Sequence, residues 1–256
     1  MHEENCVITL TYDDQHLPPG ETLIKKHYTT FMKALRYELR PKKIRFYHCG
    51  EYGELEEDIG KPQLESRLGR PHYHACIFNH QFEDLELWEK KENGNVYTSQ
   101  QLEDIWGKGF VTVMDLTLKS AGYVARYITK KINGDLKDDH YKKVCETTGE
   151  IYSVQQEYST MSNRPGIGSK WYDKFKGDVF PSDDIIVLSK NSYHHVPTPK
   201  FYDTKLEREN PTLYEKIKME RKEFAEKHIK NNTLKRLITR EVCKKAQVSN
   251  QKRNSI

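Results

Sequence analysis

An α+β fold is predicted, with a central, mostly antiparallel sheet and helices packed against it. Three observations predict it. Short β-branched runs and amphipathic helical stretches follow one another as strand, helix, strand, strand, helix, strand, helix. Gly, Pro, Asn and Asp clusters punctuate the junctions. No apolar run approaches the roughly 20 residues that a bilayer span needs. The chain has 256 residues, 36% hydrophobic and 31% charged, which suits a soluble, surface-rich protein of one large domain or one domain with an appendage.

The first strand is Cys6 to Tyr12, CVITLTY, closed by Asp13-Asp14 and by the Pro18-Pro19-Gly20 turn. From Thr22 to Arg40, Tyr28, Phe31, Met32, Leu35 and Leu39 recur three and four apart, an apolar stripe on a basic helix that Pro41 ends. Ile44 to Cys49 and His72 to Phe78 read as strands, with Gly50 to Arg70 as an acidic connecting loop. Asn79 to Asn95 is polar and reads as a long loop. Thr98 or Ser99 caps a short helix through Leu102, Ile105 and Trp106, which Gly107 and Gly109 stop. Phe110 to Leu116 is a strand, and a helix from Ser120, its candidate N-cap, to Ile132 follows. Ile185 to Leu188 is one more candidate strand.

The net charge of +4 hides an asymmetry. From Lys205 onward, 15 Lys and Arg stand against 7 Asp and Glu, whereas the remainder carries 27 against 31. This divides the chain into a domain over 1–200 and a basic, helical tail over 201–256. A weakly acidic body with a basic tail fits a polyanionic partner. Five scattered cysteines without a CxxC pair argue against a disulfide framework or a zinc knuckle. The amino terminus lacks the pattern of a secretory signal, so a cytoplasmic location is expected.

Two constellations carry chemistry. In Arg70-Pro71-His72-Tyr73-His74, the histidines are two apart on a strand, so their side chains leave the same face about 7 Å apart and both reach one cation. Glu51, in Cys49-Gly50-Glu51-Tyr52-Gly53-Glu54, supplies a carboxylate if the two strands pair; Glu54 is close enough to compete for that role. Two imidazoles and one carboxylate leave coordination positions open, as a catalytic site requires. An isolated His-x-His is more commonly two half-buried histidines.

The second constellation is Gly122-Tyr123-Val124-Ala125-Arg126-Tyr127-Ile128-Thr129-Lys130-Lys131. Tyr123 and Tyr127 are one helical turn apart on one stripe, while Val124 and Ile128 dock the helix. Packing alone would also explain paired aromatics at this spacing. Combined with the histidines, however, the phenols define a reaction. A cation that draws charge from a phosphodiester oxygen orients the phosphate, and lysines favour the phenolate that attacks it.

Five ordered segments resemble the replication initiation proteins of gokushoviruses, single-stranded-DNA bacteriophages, within the HUH endonucleases. They are ITLTYDDQHLP at 8–18, CGEYGE at 49–54, RPHYHACIF at 70–78, SAGYVARYITKK at 120–131 and MSNRPGIGSKWY at 161–172. The resemblance implies an HUH sheet bearing His72, His74 and Glu51 as ligands of Mg²⁺ or Mn²⁺. It implies Tyr123 and Tyr127 as nucleophiles that join a 5′ phosphate and leave a 3′ hydroxyl. The expected activity is that of a metal-dependent nickase and strand transferase starting rolling-circle replication on single-stranded origin DNA in the cytoplasm of a bacterial host.

Lys119, Arg126, Lys130, Lys131 and Arg164 are candidate DNA contacts by their proximity to these motifs. The chain has no Walker-type GxxxxGK[ST], so host helicase and polymerase are the expected partners. The runner-up reading is a non-catalytic single-stranded nucleic-acid-binding module, a sheet with exposed aromatics such as Tyr73 and the basic tail.

Overall fold

The apolar run CVITL, buried throughout, forms the central strand of a seven-stranded sheet in the computed structural model, which describes residues 2–54, 68–91, 94–126, 131–145, 147–180, 182–189 and 192–249. Its strands are β1 (Asn5–Leu10), β2 (Arg45–Glu54), β3 (Leu68–Phe78), β4 (Leu85–Lys91), β5 (Gly94–Ser99), β6 (Val111–Asp115) and, after the short β7 (Lys142–Val144) and β8 (Ile151–Ser153) hairpin, β9 (Tyr158–Met161). The order across the sheet is β4-β5-β6-β1-β3-β2-β9, and every neighbouring pair is antiparallel. Three helices belong to this part of the chain's site and core: α1 (Lys25–Glu38), α2 (Gln100–Trp106) and α3 (Leu118–Arg126). The one-turn α4 (Lys137–His140) precedes β7. The fold is α+β with a central antiparallel sheet flanked by helices.

Period-2 alternation sorts the side chains between two faces. Ile8, Leu10, Tyr73, Ala75, Ile77, Val111 and Val113 lie in one core with Tyr28, Phe31, Met32 and Leu35 of α1 and Leu102 and Trp106 of α2. Thr9, Cys49, Glu51, His72 and His74 therefore face the other way. Tyr73 is fully buried, which corrects the expectation that it is an exposed aromatic: it alternates with the histidines and lies under α1. Its hydroxyl accepts from the Ile24 N–H (3.1 Å) and donates to the Ile24 carbonyl (2.9 Å). Ile24 is the N-cap of α1 and has no side chain able to cap. The aromatic ring in the middle of the His-Tyr-His run thus pins the start of the helix behind it.

Two expected loops are partly strand. β2 runs on to Glu54 and β3 begins at Leu68, so Gly50 to Arg70 is not one loop. Gly50 hid this extension; a Cβ there would come 2.9 Å from the Tyr158 ring and 3.0 Å from Leu23, so the strand needs glycine to let those side chains approach. Asn79 to Asn95 likewise contains β4, an edge strand whose Glu86, Glu89, Lys90 and Lys91 made it read as loop; charge is how exposed edges avoid pairing. Ser99 caps α2, accepting from the Leu102 N–H at 3.1 Å.

By internal packing the chain divides into two compact units, Met1–Ile167 and Gly168–Ile256. The second contains α5 (Ser169–Val179), a hairpin of β10 (Asp184–Ser189) and β11 (Ser192–Pro197), and α6 (Lys200–Glu209), α7 (Pro211–Lys227) and α8 (Leu234–Ser249). Tyr172, Val179, Phe180, Tyr202, Leu206 and Ile217 form its core. Among the described residues, no helix is long and apolar enough to cross a membrane.

Candidate metal centre

The strand pairing that would bring Glu51 to the histidines is present. β2 and β3 pair with Glu51 opposite His72 and Cys49 opposite His74. Directly opposed residues share a face, so three ligand-bearing side chains meet without any loop to position them. Their ligand atoms all lie within 4.8 Å of one another. His72 Nε2 is 2.8 Å and His74 Nε2 3.1 Å from the same Glu51 oxygen, Oε1. The imidazole rings stand 4.9 Å apart and nearly perpendicular.

The outer nitrogens decide what the inner ones can do. His72 Nδ1 lies 3.2 Å from the Arg70 carbonyl, which can only accept, so that nitrogen carries a proton. The Nε2 that faces the Glu51 oxygen is then satisfied only when a positive charge lies between them, a proton on the imidazole or a metal ion in its place. His74 Nδ1 bonds Thr9 Oγ1 at 2.9 Å, across the β1–β3 pair in which Thr9 opposes His74. Both imidazoles are thereby oriented from behind, the arrangement that holds metal-binding histidines in register.

Burial completes the electrostatics. Glu51 and His74 are buried, and the His72 side chain is 18% exposed, so solvent reaches the cluster past His72. Burial by itself would raise the Glu51 carboxyl; the His72 and His74 imidazoles overcome that and hold it down at about 2. A His/His/Glu cluster with an ionised carboxylate and open positions can coordinate a divalent metal.

α3 lies on this face. The Cys49 thiol donates to the Val124 carbonyl at 3.8 Å, and Val124 is fully buried, as a docking residue should be. The Tyr123 ring packs edge-on against His74, with centroids 5.9 Å apart. The helix starts two residues earlier than expected, because Thr117 and not Ser120 is the cap. The Ser120 N–H donates to Thr117 Oγ1 (3.1 Å) while the Thr117 N–H donates to Ser120 Oγ (2.8 Å), a reciprocal capping box.

Lys119 and Arg126 are exposed on α3, one turn on either side of Tyr123. Lys131 is half-buried beyond the helix. Arg164 is exposed, and its carbonyl accepts from Arg45 at 3.4 Å, at the opposite end of β2 from Glu51, roughly 20 Å away along the strand. Tyr127, Lys130 and the side chain of Glu54 lie outside the described residues. Sequence reasoning missed Thr9. Its signal was a hydroxyl inside an otherwise apolar buried strand, which requires a polar partner.

Residues 5–132 match the model of a family of replication-associated proteins of the ORF2 type. The chain is 32% identical over 215 residues to the Replication-associated protein ORF2 of Spiroplasma virus 4, covering 81% of this chain and 59% of that protein. It is 30% identical over 247 residues to the Replication-associated protein VP4 of Bdellovibrio phage phiMH2K, covering 91% and 69%. A third relative, the Replication-associated protein ORF4 of Chlamydia phage 1, is 34% identical over 175 residues, 65% of this chain and 38% of that protein. The chain thus spans between about two fifths and two thirds of these relatives' lengths. No solved structure matches it.

Proposed function

The chain belongs to the family of ORF2-type replication-associated proteins, and from that premise we propose that it nicks and rejoins single-stranded DNA through a covalent phosphotyrosine. The observation that carries this reading is the packing of Tyr123 against His74, one of two imidazoles that converge on a single Glu51 oxygen. Mg²⁺ or Mn²⁺ held by Glu51, His72 and His74 would polarise a phosphodiester oxygen and hold the phosphorus toward α3.

The Tyr123 hydroxyl attacks that phosphorus. As the phenol loses its proton, the Tyr O–P bond forms and the P–O3′ bond breaks; the departing 3′ oxygen takes up a proton. The product is a 5′ phosphate ester on the protein and a 3′ hydroxyl that a polymerase can extend. Because the ester keeps the energy of the original linkage, attack by a later 3′ hydroxyl reseals the strand without ATP. Tyr127, four residues along in the sequence, supplies a second acceptor for successive transfers. Lys119 and Arg126, with Lys130, Lys131 and Arg164, are candidates to neutralise DNA phosphates. Host helicase and polymerase supply unwinding and extension in the bacterial cytoplasm.

The test is an end-labelled single-stranded origin oligonucleotide incubated with the protein and Mn²⁺, then denatured. Label should migrate with the protein. Tyr123→Phe and Tyr127→Phe should each reduce the adduct, the double variant should abolish it, and His74→Ala should do the same. An undiminished adduct in the double variant would remove the tyrosines from the mechanism.

A further inference from the structure

Trp88 and Phe110 are large aromatics left in solvent, 62% and 39% exposed, in a unit whose other tryptophan, Trp106, is buried. Their rings are 5.1 Å apart and tilted by 55°. Trp88 sits at the irregularity in the β4–β5 ladder, between Leu87 opposite Tyr97 and Glu89 opposite Val96. A bulge of this kind re-aims a side chain that regular alternation would have placed elsewhere.

The position of Phe110 gives the pair its meaning. The β1–β6 ladder continues one step past Leu10 and Val111, with the Thr11 N–H donating to the Phe110 carbonyl at 3.0 Å. The β1–β3 register, Leu10 opposite Tyr73, brings Thr11 beside His72. Glu51, His72, Thr11 and Phe110 therefore form one cross-strand row on one face. At a strand spacing of about 4.8 Å, Phe110 lies roughly 10 Å from His72 along that row. The opposite face at this edge is closed, since Leu10, Val111 and Tyr97 pack into the α1–α2 core.

We infer that Trp88 and Phe110 form a stacking platform for an unpaired base flanking the phosphate held at the His72–His74–Glu51 centre. The inference rests on the nicking reading and adds the surface that grips its substrate. Stacking suits this partner because every base has a π face, whatever the sequence. A second protein fits poorly. Two rings offer about 150–250 Å² each, well short of the roughly 800 Å² per partner of a stable interface, and β4 surrounds them with the charges of Glu86, Glu89, Lys90 and Lys91.

The test uses the full chain and a fluorescein-labelled single-stranded oligodeoxythymidylate, with affinity read by anisotropy in the absence of metal. The Trp88→Ala/Phe110→Ala variant should bind roughly tenfold more weakly, and Trp88→Tyr, which keeps a stacking ring, should restore most of the loss. An otherwise identical oligomer of abasic residues should bind wild type and variant alike. Unchanged affinity in the double alanine variant overturns the inference. So does an altered sedimentation coefficient with unchanged oligonucleotide affinity, which would make the patch a protein contact. Loss of affinity in a protein that never forms the covalent adduct would keep the platform and remove the nicking reading alone.

Discussion

His48 shows at the scale of one residue how the sheet separates its histidines by role. It neighbours Cys49 and Glu51 in sequence but points to the α1 face, where its ring stacks on Tyr28 at 3.5 Å and its Nδ1 bonds Thr160 Oγ1 at 2.8 Å. Burial pushes its imidazole from 6.5 down to about 3, and among the described residues its Nε2 has no hydrogen-bond partner to share a charge with. The unfolded chain takes up a proton near pH 6.5 that the folded chain refuses until about pH 3. Between these values the unfolded state binds more protons, so stability falls as pH falls, by on the order of 5 kcal/mol over the whole window. His48→Phe keeps an aromatic ring on Tyr28 and removes the titration. Urea unfolding of this variant should show a shallower loss of stability from pH 6.5 down to about pH 4 than wild type; equal slopes would mean that His48 is protonated in the fold. Nothing in the residue type distinguishes His48 from His72 and His74. Only its place in the two-residue period does, and that period was readable, because positions 72 and 74 must share a face wherever β3 lies.

At the scale of elements, the sequence was legible where a pattern is local and silent where it depends on pairing. The α1 stripe from Tyr28 to Leu35 and the Val124 docking position of α3 follow from helical spacing, and both were readable. The partner of His74 Nδ1 was not, because Thr9 lies 65 residues away and meets His74 only through the β1–β3 register. β4 was missed because its charges suit an edge strand, and edge position is a property of the sheet and not of the segment. α3 also permits a test of whether its glycine serves the fold. A Cβ on Gly122 would meet nothing within 4 Å, whereas one on Gly109, at φ +138°, would lie 2.3 Å from the Asp13 backbone nitrogen. Gly109 is thus required by a close backbone approach at a conformation that other residues avoid. Gly122→Ala should instead stabilise the protein by about 0.5–1 kcal/mol, by restricting the unfolded chain inside a helix, and should leave Mn²⁺ affinity unchanged by calorimetry. A lower urea midpoint would show that the helix face at Gly122 is occupied.

At the scale of the whole molecule, the candidate chemistry and the ion-pair network around Arg221 belong to different units of the chain. Glu51, His72, His74 and Tyr123 all fall within 1–167, while the network around Arg221 falls within 168–256. Arg221 on α7 donates to both Asp183 oxygens at 2.6 Å, to both Asp203 oxygens at 2.9 Å and to Thr198 Oγ1 at 3.0 Å. One guanidinium thereby ties α6, α7 and both ends of the β10–β11 hairpin, and Asp183 is held at a φ of 58° beside it. Lysine cannot reproduce that contact, because an ammonium is a point charge and lacks the planar fork that grips two carboxylates at once. Arg221→Lys should cost roughly 1.5–3 kcal/mol of stability, the range for hydrogen bonds to charged groups. The loss should be confined in position: hydrogen exchange should quicken in α6, α7 and the hairpin and stay unchanged in β2 and β3. Mn²⁺ titration should give the wild-type affinity, since the candidate ligands Glu51, His72 and His74 all lie outside the affected unit. Unchanged exchange throughout 168–256 would reduce the network to a set of screened surface pairs worth little, whereas a loss of Mn²⁺ affinity would mean that the order of the second unit is felt at the His72–His74–Glu51 centre.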